Sequence, residues 1–268
     1  MRETGLALKY PTETRGARPN TVLMRMCNFS VIHRPVETIS GVATNFASDG
    51  TYDDPGRTIG NDGAVSVRIV ERDPIRWTAR FAFDLAQTKG LKVTSTSKHT
   101  THAQTDGFFE RVIEEAHLEF LEVEHEQELF DASLSNIIMQ PENYEALLVL
   151  NEYGDFLSDL ATGLVGSVGV GCCAHFAFNA YDEVDIAMFE ATGGTADDIA
   201  GDGASNPTGI LRAFGMLLEQ VGAREAAIAL KTSIHSAIEG GICSPDLGGS
   251  VTTAEFAQEI GDRLERYV

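Results

Sequence analysis

Residues 151–166 read "NEYGDFLSDLATGLVG" and place two carboxylates, Asp155 and Asp159, at the edge of an apolar segment. From Leu160 to Ala180 the chain has no Asp, Glu, Lys or Arg. Residues four apart share one face of a helix, so both side chains can point at one spot, where a cation would offset their repulsion. A solvated helix N-terminus, where acids interact favourably with the helix dipole, fits the spacing as well. Spacing alone favours the solvated helix, so the surrounding sequence has to decide.

The composition indicates a large, acidic globular protein. The chain has 268 residues, 43% of them hydrophobic, which is enough for one large domain or two modest ones. It carries 40 acidic and 20 basic residues, a formal net charge of -20. This balance argues against nucleic acid as a partner, because phosphate-binding surfaces carry the opposite sign. It fits a salt-adapted protein and an ordinary acidic cytosolic enzyme equally well.

The cysteines show no CxxC spacing and no disulfide framework. Cys172 and Cys173 lie next to each other in the apolar stretch, and we expect buried thiols there rather than a metal site. Free thiols indicate a reducing compartment. We therefore expect the protein in the cytoplasm.

The sequence shows no targeting or membrane segment. The first residues, "MRETGLALKYPTET", resemble neither a secretory signal nor an obvious transit peptide. A mitochondrial matrix location remains open for a chain from which a transit peptide has been removed. Glycines interrupt residues 160–180, so we expect a buried helix followed by a glycine-rich loop, and no membrane span.

Helix and strand signals alternate along the chain, which predicts an α/β fold. Residues 73–90 form a predicted helix with Asp73 as N-cap and Gly90 as C-terminal stop, and a strand at 91–96 then places Lys98 just beyond its end. The other predicted elements are strands 145–150 and 184–191, helices 107–121 and 223–239, a helix capped by Asn206 and Pro207 that ends near 221, and a last helix from the capping box at 252–255. Loops 41–64 and 192–206 are rich in Gly, Asp and Thr, and function tends to concentrate in such loops.

The segment 151–166 closely resembles the metal-binding helix of the isocitrate/isopropylmalate dehydrogenase family, the metal-dependent β-decarboxylating dehydrogenases. Other segments match that family in the same order. They are "HRPVETISGV" (33–42), "SDGTY" (48–52), "TSKHTTHAQTDGFFERV" (96–112), "LFDASLSNIIMQPENYEALL" (129–148), "MFEATGGTADDIAGDGASNPTGILRAFGMLLEQVG" (188–222) and "SPDLGGSVTTAEF" (244–256). The resemblance covers nearly the whole chain and is most specific in its last two thirds.

The resemblance implies the two-domain α/β fold of that family. Residues 1–29 and 166–268 would form the large, nucleotide-binding domain, with its first strand or strands missing. Residues 30–165 would form the small domain, which carries the dimer interface and the metal site.

The resemblance also assigns the metal and proton-transfer groups. Asp131, Asp155 and Asp159 would bind the metal, and an oxygen-rich shell of this kind suits Mg²⁺ or Mn²⁺. Lys98 would assist deprotonation of the substrate hydroxyl, and Tyr52 would return a proton to the enolate. In the family the lysine and one aspartate come from the neighbouring subunit, so Lys98 and Asp131 would complete the site of another copy. A homodimer or higher oligomer with shared sites is therefore implied.

The implied reaction is oxidation of a malate-type 2-hydroxy acid with loss of its β-carboxylate. Arg34 and Asn20 match substrate-binding positions. Arg18 and Asn20 lie where the family reads the variable group of the substrate, and they suit a carboxylate better than an isopropyl group. Isocitrate or homoisocitrate is therefore expected rather than 3-isopropylmalate.

The cofactor implied by the resemblance is NAD. Gly194 and Thr195 match the adenosine-binding loop, and Asn206 matches an asparagine that contacts adenine. Asp198 and Ile199 stand where NAD-dependent members carry the same pair. A carboxylate at this position accepts hydrogen bonds from the ribose hydroxyls and repels a 2′-phosphate.

Several positions depart from the family pattern. Two substrate arginines are replaced by Met24 and Asn45, which leaves Arg34, and the histidine that opens the cofactor loop is replaced by Gly193. Two alternatives therefore stay open beside an active enzyme. One is a non-catalytic or regulatory subunit that works with a related catalytic subunit, and the other is a structural pseudoenzyme.

Overall fold

The computed structural model describes residues 1, 3–12, 19–36, 44–48 and 56–266. Helices and strands alternate along them, and the predicted α/β class is confirmed. The strands are β1 (Leu6–Lys9), β2 (Val31–Pro35), β3 (Thr44–Ser48), β4 (Arg57–Ile59), β5 (Gly63–Val65), β6 (Val93–Ser97), β7 (His125–Leu129), β8 (Ala146–Leu150), β9 (Cys172–Phe178) and β10 (Val184–Ala191). The helices are α1 (Pro19–Cys27), α2 (Arg72–Lys89), α3 (Asp106–His117), α4 (Phe130–Met139), α5 (Asn151–Leu164), α6 (Thr208–Gln220), α7 (Arg224–Glu239) and α8 (Thr253–Leu264).

One mixed sheet organises the molecule, with strand order β1-β10-β9-β2-β3-β8-β6-β7. Strands β3, β8, β6 and β7 run parallel to one another, and we call them the parallel half. Strand β9 is antiparallel to both β2 and β10, and β1 is an edge strand parallel to β10. The strands of the two predicted domains join where β2 pairs with β9, and the domain division itself stays a prediction.

Strand β8 is the centre of the parallel half. Its five residues are all buried, as expected for a parallel strand that helices cover on both faces. Leu148 of this strand belongs to a buried cluster with Phe83 of α2, Phe109 of α3 and Leu157 of α5. Burying each of these side chains contributes about 1.5–3 kcal/mol, so the cluster fixes the position of α5 on the sheet.

The other half of the sheet is covered by α6, whose Ala213 packs in one cluster with Phe176 and Phe189. A side chain at Gly209 would not fit there, because a Cβ atom would lie 2.6 Å from the carbonyl oxygen of Gly171. Glycine at this position therefore lets α6 approach the start of β9. Helices α7 and α8 form a further cluster behind α6.

Local signals predicted the helix ends with mixed success. Gly90 ends α2 as predicted, with φ 69° and its N–H donating to the carbonyl of Ala86, and Thr252 and Glu255 form the predicted capping box of α8. The predicted N-cap of α2 is wrong, because the helix begins one residue before Asp73 and its N-cap is Glu71. Helix α3 ends at His117 rather than at 121, and strand β6 covers 93–97 rather than 91–96. Asn206 and Pro207 precede α6 as predicted, with Pro207 in the N-cap position and the Asn206 side chain accepting from the first backbone N–H of the helix.

Two predicted loops contain strands. The glycine-rich loop expected after α5 holds β9, because pairing with β2 and β10 overrides the weak local pattern of "CCAHFAF". The predicted loop 41–64 contains β3 and the hairpin of β4 with β5. In the described ranges, none of the helices combines the length and apolar character that a bilayer crossing needs.

Candidate active site

Helix α5 starts directly at the carboxyl end of β8, since Leu150 ends the strand and Asn151 begins the helix. In sheets of this class, ligand sites form beyond the carboxyl ends of the parallel strands. The core-facing side of α5 buries Leu157 and Ser158, which holds the helix in place. Asp155 is half-buried and Asp159 is exposed one turn further along.

The structure brings the predicted substrate residue Arg34 together with one predicted metal ligand. Arg34, on β2, forms an ion pair with Asp155, and its Nη1 donates a 2.9 Å hydrogen bond to Ser158 Oγ. Its Nε is buried and has no hydrogen-bond partner among the described residues. The guanidinium therefore keeps one unused donor beside a carboxylate that is expected to bind metal.

Lys98 and Asp131 form a second pair at the carboxyl ends of β6 and β7. Lys98 follows β6, Asp131 lies in the first turn of α4, and Nζ is 2.8 Å from Oδ1. The hydrogen bond from Lys98, together with one from the backbone of Asp131, lowers the pKa of the Asp131 carboxyl. We call Lys98, Asp131, Asp155 and Asp159 the rim.

A buried aspartate that the sequence analysis missed supports the rim. Asp106, at the start of α3, is fully buried and accepts hydrogen bonds from the backbone N–H of Lys98 at 2.8 Å and from Tyr153 Oη at 2.9 Å. Arg68 pairs with its other oxygen at 2.7 Å. Tyr153 belongs to α5, so Asp106 ties the segment that carries Lys98 to the helix that carries Asp155.

A second buried acid, Glu110 of α3, lies beside the end of β6. Its carboxyl accepts hydrogen bonds from Ser95 Oγ at 2.6 Å and from Ser97, the residue before Lys98. Burial raises the pKa of Glu110 to about 7, against the opposing effect of these hydrogen bonds. We call Arg68, Asp106, Glu110 and Tyr153 the buried layer. The acids of this layer lie at helical spacing among apolar residues, a pattern that could have marked them as buried.

The three predicted metal carboxylates do not converge within one chain. In the part of the chain that the structure describes, Asp131, Asp155 and Asp159 are not a set whose ligand atoms lie within 4.8 Å of one another. One chain thus presents two partial sites, Lys98 with Asp131 and Arg34 with Asp155. A site shared between two copies remains a prediction. It requires Asp131 to lie apart from Asp155 and Asp159 within one chain.

The predicted cofactor loop follows β10. Gly194, Thr195 and Asp198 are exposed, and Ile199 is half-buried at the end of a short 3₁₀ turn. Asn206 accepts a 2.9 Å hydrogen bond from the backbone N–H of Thr208, as a helix cap does.

Asn206 also has a side-chain partner. Its Nδ2 donates to Asp246 at 2.9 Å, which ties the loop to the segment before α8. Burial acts to raise the pKa of Asp246, but hydrogen bonds from Ser167, Ser244 and Asn206 outweigh it and lower that pKa. The amide is therefore oriented by two contacts before any nucleotide binds.

Some predicted positions carry no side-chain description. Tyr52 lies outside the described residues, and Asn20 lies in α1 with only its backbone position described. Met24, predicted to stand in place of a family arginine, packs against the buried cluster around β8. Asn45 lies opposite Arg34 in the pairing of β3 with β2.

Comparison with known proteins gives consistent matches along the chain. The sequence pattern described as "Isocitrate/isopropylmalate dehydrogenase" matches residues 16–262. The 3-isopropylmalate dehydrogenase of Archaeoglobus fulgidus is 33% identical over 205 residues, which are 76% of this chain and 61% of that protein. The mitochondrial isocitrate dehydrogenase [NAD] catalytic subunit 5 of Arabidopsis thaliana is 30% identical over 280 residues, covering 98% of this chain and 74% of its own length.

The structural comparison agrees with these matches. The crystal structure of isocitrate dehydrogenase from Methylococcus capsulatus superimposes with a TM-score of 0.90 at 30% identity, and covers 98% of this chain and 82% of that one. Relatives named isocitrate dehydrogenase [NADP] and homoisocitrate dehydrogenase also match. The matched part spans about three fifths of the length of the 3-isopropylmalate dehydrogenases of Archaeoglobus fulgidus and Methanothermobacter thermautotrophicus.

Proposed function

The chain belongs to the isocitrate/isopropylmalate dehydrogenase family, and we propose that it catalyses the NAD-dependent oxidative decarboxylation of a malate-type 2-hydroxy acid. Isocitrate or homoisocitrate is preferred over 3-isopropylmalate in this proposal. The observation that carries it is the rim, where two carboxylates on α5 and a lysine–aspartate pair after β6 are all accessible. Site residues of a dehydrogenase have to be accessible to a substrate, and these four side chains are at least partly exposed.

Lys98 is proposed as the group that takes the proton from the substrate hydroxyl. A lysine that acts as a general base must be deprotonated, and therefore neutral, and within reach of that proton. Lys98 is paired with Asp131, so it has to leave this partner and lose its own proton before it can act. Tyr52 is proposed to return a proton to the enolate after decarboxylation, and Arg34, which pairs with Asp155, is proposed to bind a substrate carboxylate.

The donor set fits a hard divalent cation when two copies are combined. Asp155 and Asp159 of one chain and Asp131 of another would hold Mg²⁺ or Mn²⁺, whose preferred ligands are carboxylate oxygens. The bound ion would polarise the ketone and stabilise the enolate charge. We accordingly propose a homodimer, or a higher oligomer, in which each site takes residues from two chains.

NAD is the proposed cofactor. Relatives with NAD and with NADP in their names both match the chain, so the choice rests on Asp198. Its carboxylate is exposed in the loop after β10, where it can accept hydrogen bonds from ribose hydroxyls and would repel a 2′-phosphate. We propose the cytoplasm as the location of the reaction.

One observation favours a non-catalytic role. Met24 packs against the apolar core, so this position offers no cation for a substrate carboxylate. An arginine–carboxylate contact contributes about 1.5–3 kcal/mol, so each one lost weakens substrate binding about tenfold or more. A regulatory subunit beside a related catalytic subunit, or a pseudoenzyme, is the second candidate.

A single assay separates the candidates. NADH formation is followed with Mn²⁺ and, in turn, isocitrate, homoisocitrate, 3-isopropylmalate and malate, with NADP in parallel. Turnover of isocitrate or homoisocitrate with NAD is the expected result. A protein that binds Mn²⁺ and NAD but turns over none of the four acids supports the regulatory role.

A further inference from the structure

A second cluster of metal-binding side chains lies inside the other half of the sheet. Cys173 and His175 are two residues apart on β9 and therefore point to the same face, and Glu190 is the register partner of Cys173 on β10. All three are buried, with exposed fractions of 3%, 6% and 7% in that order. Their ligand atoms lie within 4.8 Å of one another.

The distances in this cluster are close to the edges of a zinc tetrahedron. The Sγ of Cys173 is 3.3 Å from Nε2 of His175, and that Nε2 is 2.9 Å from Oε1 of Glu190. Bond lengths of about 2.3 Å for Zn–S and about 2.05 Å for Zn–N and Zn–O place the same atom pairs about 3.5 Å and 3.3 Å apart. Moving each pair apart by a few tenths of an ångström is enough to admit the ion.

We propose that Cys173, His175 and Glu190 bind a Zn²⁺ ion, at a site separate from the rim and independent of the proposed dehydrogenase activity. A thiolate, an imidazole and a carboxylate form a zinc-type ligand set, whereas Mg²⁺ prefers oxygen ligands alone. Three protein ligands leave the fourth tetrahedral position to a water molecule or small anion. The sequence analysis expected a buried thiol at Cys173 and missed this arrangement.

One of the three ligands, Glu190, is already oriented and charged for the ion. Burial acts to raise the pKa of Glu190, but hydrogen bonds from His175 and Lys9 outweigh it and lower that pKa, so the carboxylate is charged. Lys9, at the end of β1, pairs with Oε2 of Glu190, so that Oε1 of Glu190 faces His175. An outer-shell partner of this kind orients a ligating carboxylate.

Cys173 has to lose a proton before it can bind the ion. Burial raises the pKa of the Cys173 thiol, so binding replaces the S–H bond by a metal–sulfur bond and releases one proton to the solvent. A ring proton on Nε2 of His175 moves to Nδ1, which is buried without a partner in the described part of the chain. Because the ring lacks a second anchor, we expect weaker binding than at a fully supported zinc site.

Co²⁺ distinguishes the proposed site from the rim, because only a site with a thiolate ligand gives a sulfur-to-cobalt absorption band. The metal-free protein is titrated with Co²⁺ in excess Mg²⁺, and the thiolate-to-cobalt absorption band is measured. We expect this band to saturate at one Co²⁺ per chain and to disappear when Zn²⁺ is added. Oxygen ligands give no such band, so a protein without it overturns the proposal.

Two cysteines of the same strand provide matched variants. Cys173→Ser removes the proposed thiolate, whereas Cys172→Ser changes its neighbour, whose side chain contacts Met216 on the opposite face. The band should vanish in Cys173→Ser and persist in Cys172→Ser. A band that survives in Cys173→Ser overturns the site.

A further variant covers the case in which Cys173→Ser fails to fold. Glu190→Gln keeps the thiol and the shape of the side chain, and we expect it to bind Co²⁺ at least about tenfold more weakly while retaining the band. Unchanged affinity in Glu190→Gln removes Glu190 from the site and contradicts the three-ligand proposal.

Discussion

The rim and the buried layer are neighbours in the parallel half, but the charged side chains of the rim are accessible to solvent and the carboxylates of the buried layer are not. The side chain of Asp131 in the rim is 65% exposed, whereas that of Asp106 in the buried layer is 0% exposed. Exposed ion pairs contribute little to stability and can exchange partners with a ligand at low cost. Buried charges hold their partners in place and are costly to disturb. The difference suggests that the rim does the chemistry and that the buried layer fixes its position.

The sharpest test of this division is Lys98→Met. If Lys98 is the base, NADH formation should fall at least about 100-fold, because general-base catalysis contributes on that order. The free energy of unfolding should change by less than about 0.5 kcal/mol, because the pair is exposed. Initial rates and urea unfolding measure the two quantities.

Lys92→Met is the matched control for this change. Lys92 lies just before β6 and pairs with Glu126 at 2.9 Å, an ion pair similar to that of Lys98. The Lys92→Met substitution should leave the rate of NADH formation unchanged. A Lys98→Met protein with a normal rate would show that the rim does not hold the base.

A mixture of two inactive variants tests whether the rim is shared between chains. Lys98→Met and Asp155→Asn should each be inactive alone. In a mixed dimer one site carries both defects and the other carries neither, so random exchange should restore roughly a quarter of the normal activity. The measurement is NADH formation after the subunits have been allowed to exchange. No recovery, with exchange verified by mass, would contradict the shared site.

The buried layer should show the reverse behaviour when Asp106 is changed to Asn. This substitution leaves Arg68 with Glu152 as its remaining charged partner at 2.7 Å and weakens the hold on the backbone of Lys98. We expect a loss of about 1–3 kcal/mol in the free energy of unfolding, as for a buried hydrogen-bonded group that loses part of its partners. Asp84→Asn, at an exposed position of α2, should cost less than about 0.5 kcal/mol. Equal losses in the two variants, measured by urea unfolding, would remove the distinction between the regions.

The sequence analysis named the residues of the rim and missed those of the buried layer, and the reason is physical. Lys98 and Asp131 lie at the ends of elements and Asp155 and Asp159 lie four residues apart on α5, where the resemblance to the family marks them. The structural role of Asp106 depends on its hydrogen bonds with Tyr153 and Arg68. These partners are 47 and 38 residues away in the sequence, and no local pattern reveals them. Strand β9 was missed for the same reason, because long-range pairing decides its structure.

Glu110 offers a pH-dependent test of the buried layer. Its pKa is about 7 in the folded protein and near the ordinary value of 4.5 in the unfolded chain. Between these values the folded state binds the extra proton, so the contribution of Glu110 to stability is lost as the pH rises from about 4.5 to about 7. Glu110→Gln cannot ionise and should lack this loss, which amounts to at most roughly 1.4 kcal/mol per pH unit. Urea unfolding of both proteins at pH 5 and pH 7 measures the difference, and parallel pH profiles would contradict the raised pKa.

The smallest expected effect concerns Asp198, which is exposed like the rim but lies in the loop after β10. If its carboxylate accepts the ribose hydroxyls, Asp198→Lys should lower the preference for NAD over NADP about tenfold, because the lysine attracts the 2′-phosphate that the carboxylate repels. The fold should be unaffected, since an exposed loop position contributes little to stability. Asp197→Lys is the matched control, because it places the same charge one residue away in the same 3₁₀ turn. The ratio of kcat/KM for the two nucleotides measures the change. An equal shift in both variants would mean that net charge in the loop, rather than a contact of Asp198, sets the preference.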